Sequence, residues 1–187
     1  MSNLLRHFPI SAAGHVGYAN WHPNLITWMQ EVYRAVSGDY NVIHLTKAST
    51  TEDIGGVATT ATRIAWDEEA VKQPGFVHST TSLNSRVEVE NTGRYMLKCN
   101  IVAVNGATAA VQMRMYPKVN GSTNVTEGTT YDYAIGSGWR VNLNVNTELD
   151  LEAGDYIEIE TYVVLTSGDQ AVVTSATECE LIVRRIA

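Results

Sequence analysis

The chain has 187 residues, 44% of them hydrophobic, 18% charged and 8% aromatic, enough for one large domain or a domain with an arm rather than two compact domains. Thirteen Lys and Arg against twenty Asp and Glu leave a net charge of −7 with no basic run, which argues against gripping nucleic acid phosphates. No apolar stretch approaches the ~18 residues that cross a bilayer, and the start lacks the apolar core of a signal peptide, so a soluble protein with no export signal and no membrane partner is expected.

In chain order, Pro9, Gly14 and Gly17 first interrupt a mixed segment. Leu25, Trp28, Met29, Val32 and Val36 then follow the spacing of a helix with one buried face. Pro23 near its first turn and Gly38 beyond its last apolar residue punctuate it, predicting a helix over about residues 23–37. Tyr40 to Thr46 has the pattern of a short strand, and Ser49 to Gly56 is rich in turn formers and reads as a connection. Residues 1–58 are therefore expected to be an N-terminal arm with one α-helix, and residues 59–187 a second region.

From about Thr59 the period changes to two, the spacing of strands with one face on a core. Val87 and Val89 share a face in Arg86–Glu90, as do Tyr95, Leu97, Cys99, Ile101 and Ala103 after Gly93. Val111, Met113 and Met115 alternate with Gln112, Arg114 and Tyr116; Val141, Leu143 and Val145 alternate with Asn142, Asn144 and Asn146. Tyr156 to Leu165 and Glu178 to Ile186 complete the long strands, and shorter ones fall near Thr62–Trp66, Phe76–Ser79 and Tyr131–Ile135. Asn105-Gly106 and Asn120-Gly121 supply turn signals. Eight or nine regularly spaced strands predict an all-β antiparallel sandwich or barrel, because two sheets must cover one another's apolar faces. No internal repeat stands out. Cys99 and Cys179 lie far apart in apparent strands, so they read as buried small hydrophobes rather than a zinc or disulfide framework.

Three patterns occur in a recognisable order: Gly93-Arg-Tyr95 opening a long core strand, Leu149-Asp-Leu-Glu-Ala-Gly-Asp155 leading into Tyr156-Ile-Glu-Ile159, and the terminal strand Glu180-Leu-Ile-Val-Arg-Arg-Ile186. Over about residues 60–187 this order resembles the jelly roll of the tumour-necrosis-factor and C1q superfamily. The resemblance implies a terminal strand buried mid-sheet and assembly as a homotrimer. It departs from the eukaryotic members in lacking a collagen stalk, a transmembrane anchor and a signal peptide. Similar jelly rolls without export signals occur in structural proteins of tailed bacteriophages, as capsid decoration proteins, head fibres or tail parts. The arm would then dock onto a shell or join neighbouring subunits.

Catalytic and cofactor signatures are sought without result. The His-x-His pair of metal-binding jelly rolls is absent, and the five His at 7, 15, 22, 44 and 78 are isolated. His15 and His22 read as polar interface contacts before they read as a metal pair. There is no Gly-x-Ser-x-Gly elbow, no Walker loop and no Gly-x-Gly-x-x-Gly. Gly136-Ser-Gly138 is a β-turn signal, with no following helix to hold an anion. Asp67-Glu68-Glu69 offers oxygen ligands for Ca²⁺ or, more simply, a solvated loop. Glu158 and Glu160 read as a sheet-surface ion ladder facing bases such as Arg184. No catalytic residue, metal or cofactor is expected.

Aromatic side chains remain. Trp21, Trp28, Met29 and Tyr33 in the arm are the candidates for docking on a partner such as a major capsid protein, since aromatics concentrate binding energy at interfaces. Tyr131, Tyr133 and Trp139 flank the Gly-rich turn and are the candidates for stacking on sugar rings. The expected function is a non-enzymatic virion structural protein, a trimeric capsid decoration protein that stabilises the shell. The alternative is a receptor- or glycan-binding knob of a tail or head fibre.

Overall fold

Strict alternation of side chains decides the architecture. In the strand β7 (Gly93–Asn105), Tyr95, Leu97, Cys99, Ile101 and Ala103 are all buried, whereas Arg94 and Lys98 between them are exposed. Beside it, β11 (Arg140–Leu151) buries Val141, Leu143 and Val145 and exposes Asn142, Asn144 and Asn146. The computed structural model describes residues 41–47, 52–53, 61–106, 110–125, 129–165, 171–173 and 178–186. The helix expected over residues 23–37, and with it Trp21, Trp28, Met29 and Tyr33, lies outside the described residues.

Among the described residues there are fourteen strands, in two antiparallel sheets, and no helix. The first sheet runs β4 (Glu68–Lys72), β1 (Val42–Thr46), β14 (Glu180–Arg185), β7, β11. Past β14, the end of β7 also pairs with β13 (Ala171–Val173), which carries β2 (Glu52–Asp53). The second runs β10 (Thr130–Ala134), β8 (Val111–Val119), β12 (Tyr156–Leu165), β6 (Arg86–Val89), β5 (Phe76–Val77). There β3 (Thr62–Arg63) pairs with β12 and β9 (Thr123–Asn124) with β8. The C-terminal strand sits between β1 and β7, as an apolar chain end requires.

The inner faces of the two sheets form one apolar core, with Leu97, Ile101, Leu143, Leu181 and Val183 from the first sheet and Met113, Met115, Ile157, Ile159 and Val163 from the second. Burying each such side chain contributes roughly 1.5–3 kcal/mol, so the sandwich needs no further staple. Both cysteines are free and buried. Burial, then the nearby Cys179, pushes the Cys99 thiol up, which keeps it protonated and inert.

Two turns carry the chirality of the chain. Asn120 and Gly121 both have positive φ, 54° and 69°, and reverse the chain from β8 into β9. Gly154, at φ 92°, lets the chain cross from β11 in the first sheet to β12 in the second. Asp155 accepts from the Glu152 amide at 2.8 Å and from the Asn120 side-chain amide at 2.7 Å, tying the two turns together.

Several expectations need correction. The stretch Ser49 to Gly56, read as connection, contains β2, and β9 and β13 were not anticipated; two- and three-residue strands carry no measurable period. Glu68 and Glu69, read with Asp67 as a loop, lie on β4. Glu158 and Glu160 do not face Arg184, which belongs to the other sheet; their partners are Arg63, Arg86 and Lys118. Spacing along one strand does not tell which sheet a distant strand will join.

Candidate functional site

With the core filled by apolar side chains, chemistry is confined to the outward faces and the loops. On the second sheet the register sets Tyr131 opposite Arg114 opposite Tyr162, and Tyr133 opposite Gln112 in the next rung. Alternation along β8 turns Gln112, Arg114 and Tyr116 outward together, and β10 at the sheet edge turns out Tyr131 and Tyr133. These residues with Thr129 line a depression of about 430 Å³.

Hydrogen bonds fix its geometry. The Arg114 Nε donates to the Gln112 side-chain oxygen at 2.5 Å, which leaves the Gln112 Nε2 to donate to the Tyr133 hydroxyl at 2.6 Å. An Arg114 Nη1 hydrogen goes to the Tyr162 hydroxyl at 3.1 Å, and that hydroxyl lies 2.6 Å from the hydroxyl of Tyr116. The Tyr116 and Tyr162 rings stack, centroids 5.1 Å apart and 1° from parallel, with the guanidinium carbon 5.6 Å from the Tyr162 ring centre. Burial and the bond to Tyr162 push the Tyr116 phenol up against the opposing pull of Arg114, so it stays neutral at ordinary pH. Tyr131 and Tyr133, 62% and 57% exposed, meet edge to face at 6.2 Å. The result is a rigid aromatic floor with one cation in it.

Of the three residues expected to contact sugar, the structure brings Tyr131 and Tyr133 together. Trp139 lies in the β10–β11 connection, 55% exposed, and does not line the depression. Its backbone carbonyl instead accepts from the Asn105 amide at 2.8 Å. Gln112, Arg114, Tyr116 and Tyr162 were not singled out from sequence. The signal was present as a Gln-x-Arg-x-Tyr row on one strand face, but its neighbours could be known only from strand order.

At the other end of the same outward face, Glu158 is fully buried, 3.0 Å from the Arg86 Nε and 3.5 Å from an Arg63 Nη, while Glu160 meets Arg63 at 3.2 Å and Lys118 at 2.5 Å. Arg86 also lies 4.4 Å over the Tyr156 ring. The carboxylates that sequence offered to Ca²⁺ are engaged as well. Glu68 accepts from the Thr46 hydroxyl at 2.9 Å, and Glu69 meets both His78 and Lys72. Burial raises the Glu69 carboxyl but the bonds from His78 and Lys72 outweigh it, leaving it below its ordinary range. Among the described residues, no group of three His, Cys, Asp or Glu is placed to hold a metal, and no helix is long and apolar enough to cross a membrane.

No family model matches the chain, and no curated protein matches it. Solved structures do match in fold. The crystal structure of murine APRIL at pH 8.0 is similar over 79% of this chain and 99% of that one, with 16% identity and a TM-score of 0.51. The globular domain of zebrafish complement 1qA is similar over 79% and 98%, with 8% identity and a TM-score of 0.53. The fold is thereby defined: the described residues form an antiparallel jelly-roll sandwich like those of the tumour-necrosis-factor and C1q domains.

Proposed function

We propose that the protein is a non-enzymatic structural protein of a virion, in which three copies of the jelly roll form a knob and residues 1–58 dock it on a capsid shell. The observation that carries the assembly is the outward face of the first sheet. Val42, Met96, Val102, Val104 and Ile182 point away from the core and are half-buried in a single chain, an apolar set that a second copy would cover. Three linked arms multiply residence on the shell through effective concentration even when each contact is modest. The capsid role itself stems from the bacteriophage jelly rolls the sequence resembles, and Trp21, Trp28, Met29 and Tyr33 are the docking residues it calls for. The test is co-sedimentation of the full chain with shells. Replacing Trp28 and Tyr33 by Ala should cost at least tenfold in capsid affinity with trimer mass unchanged; undiminished binding overturns the arm's role.

A second reading, a glycan-binding knob of a fibre, is favoured by the exposed Tyr131 and Tyr133 over a bonded polar floor. Saccharide sites combine such ring faces with a few fixed donors and acceptors. The isolated protein binding host surface polysaccharide but not capsids would select it over the first.

A further inference from the structure

We propose that the depression between β8 and β10 binds a saccharide bearing a carboxylate, with Arg114 as the group that recognises the acid. The inference rests on the glycan-binding reading above and specifies its ligand.

Among the described residues the Arg114 guanidinium is held by neutral groups alone, Gln112 through Nε, Tyr162 through Nη1 and the neighbouring Tyr116 hydroxyl, with no carboxylate partner. These bonds use fewer than its five N–H hydrogens, and a guanidinium so fixed in place is preorganised for a carboxylate. The Tyr133 hydroxyl accepts from Gln112, so its own proton is unspent. Tyr116 and Tyr162 share one hydrogen bond, and whichever donates, the other phenolic proton has no partner in the pair. The floor is therefore rich in donors and short of acceptors. Its complement is an acceptor-rich, negatively charged group, and the exposed Tyr131 ring beside it offers a face for a pyranose.

Charge agrees locally although the chain is acidic as a whole. Outward strand positions of this sheet carry Arg63, Arg86, Arg114 and Lys118 against Glu88, Glu158 and Glu160, whereas the whole chain has a net charge of −7. The other outward bases on this face are neutralised: Arg86 by Glu158, Lys118 by Glu160, and Arg63 by both. Among the described residues of this face, Arg114 is the base left to an outside anion.

The test uses the full chain and titration calorimetry with two probes, galacturonic acid trisaccharide and sialyllactose, each beside its carboxyl-reduced counterpart. Acid forms should bind at least tenfold more tightly than reduced forms, and added salt should shrink the difference. Arg114→Met should erase that preference while an unchanged melting profile shows the sheet intact; Arg114→Lys, which keeps the charge but not the fork, should retain a part of it. Tyr131→Ala should weaken acid and neutral forms alike. Equal affinity for acid and reduced sugars, or an acid preference that survives Arg114→Met, overturns the inference and leaves glycan binding standing. No affinity for any saccharide overturns both, as does tighter binding of a glutamate-rich peptide than of either sugar.

Discussion

The two sheets present outward faces that are built differently, and the difference indicates what each is for. On the first, polar side chains are matched in pairs: Lys98 with Glu180 at 2.9 Å, Arg94 with Glu148 at 2.6 Å, and Arg140 with Glu178. Between them stand apolar side chains that point away from the core of the described residues. A face whose charges are already neutralised loses little when water is removed from it, which suits contact with another copy of the same chain. On the second, charges are paired at the β12–β6 end, but Arg114 among its tyrosines is not, and the surplus is of donors rather than of apolar surface. On the readings proposed above, one face is prepared for burial and the other for an anionic ligand in water.

The largest effect expected from breaking that contrast is on assembly. Ile182→Glu places a carboxylate beside Glu180 in the middle of the first face, where an apolar contact between copies would bury it. Light scattering should show the trimer replaced by monomer, with Ile182 variants otherwise folded because its side chain faces away from the core. Arg114→Met on the other sheet should leave the mass unaltered. A trimer that tolerates Ile182→Glu assigns the first face to some other cover.

Next in size is a substitution beneath the second face. Gly121 has φ +69°, and a Cβ there would stand 2.9 Å from the Tyr156 hydroxyl and 3.4 Å from the buried Glu158 carboxylate. Gly121→Ala should therefore add crowding of the Arg63, Arg86 and Glu158 cluster to backbone strain, lowering stability by about 2–4 kcal/mol. Gly138, at φ +79° with nothing within 4 Å of a Cβ, supplies the control. Gly138→Ala should show the strain alone, about 1 kcal/mol. Chemical denaturation of both separates the two contributions; equal losses would show that the cluster yields.

What sequence conveyed and what it withheld follow from the range of the signals. The long strands β7, β8, β11 and β12 were legible because six or more alternations leave one consistent inward face, and Gly93, Asn120-Gly121 and Gly154-Asp155 marked their ends. Tyr131 and Tyr133 drew notice because they flank the Gly-rich turn, and the structure sets them on one face of a short strand. Arg114 was not legible, since its meaning lies in Tyr162, 48 residues further on. The partner of Glu158 was misread for the same reason. Strand order is a tertiary property, and period two is blind to it.

The smallest effect concerns the turn that links the two sheets. Asp155 is held below its ordinary pKa of 3.8, first by the Asn120 side-chain amide and then by the Glu152 backbone N–H. Glu69 on β4 is held below 4.5. Folded-state values below the unfolded ones mean that each carboxylate contributes its full stabilisation above its ordinary value. The contribution is lost as pH falls through the folded value. Urea melts should thus show stability level near pH 7 and declining from about pH 4.5 downward. Asp155→Asn, which keeps the shape of the turn and removes the charge, should flatten the lower part of that decline while leaving the Glu69 part in place. Because Asp155 also grips Asn120 across the β8–β9 turn, its protonation should loosen the Tyr156 end of the second face before it reaches Arg114. If acid instead removes binding at Arg114 and the turn together, the two ends of that face melt as one unit.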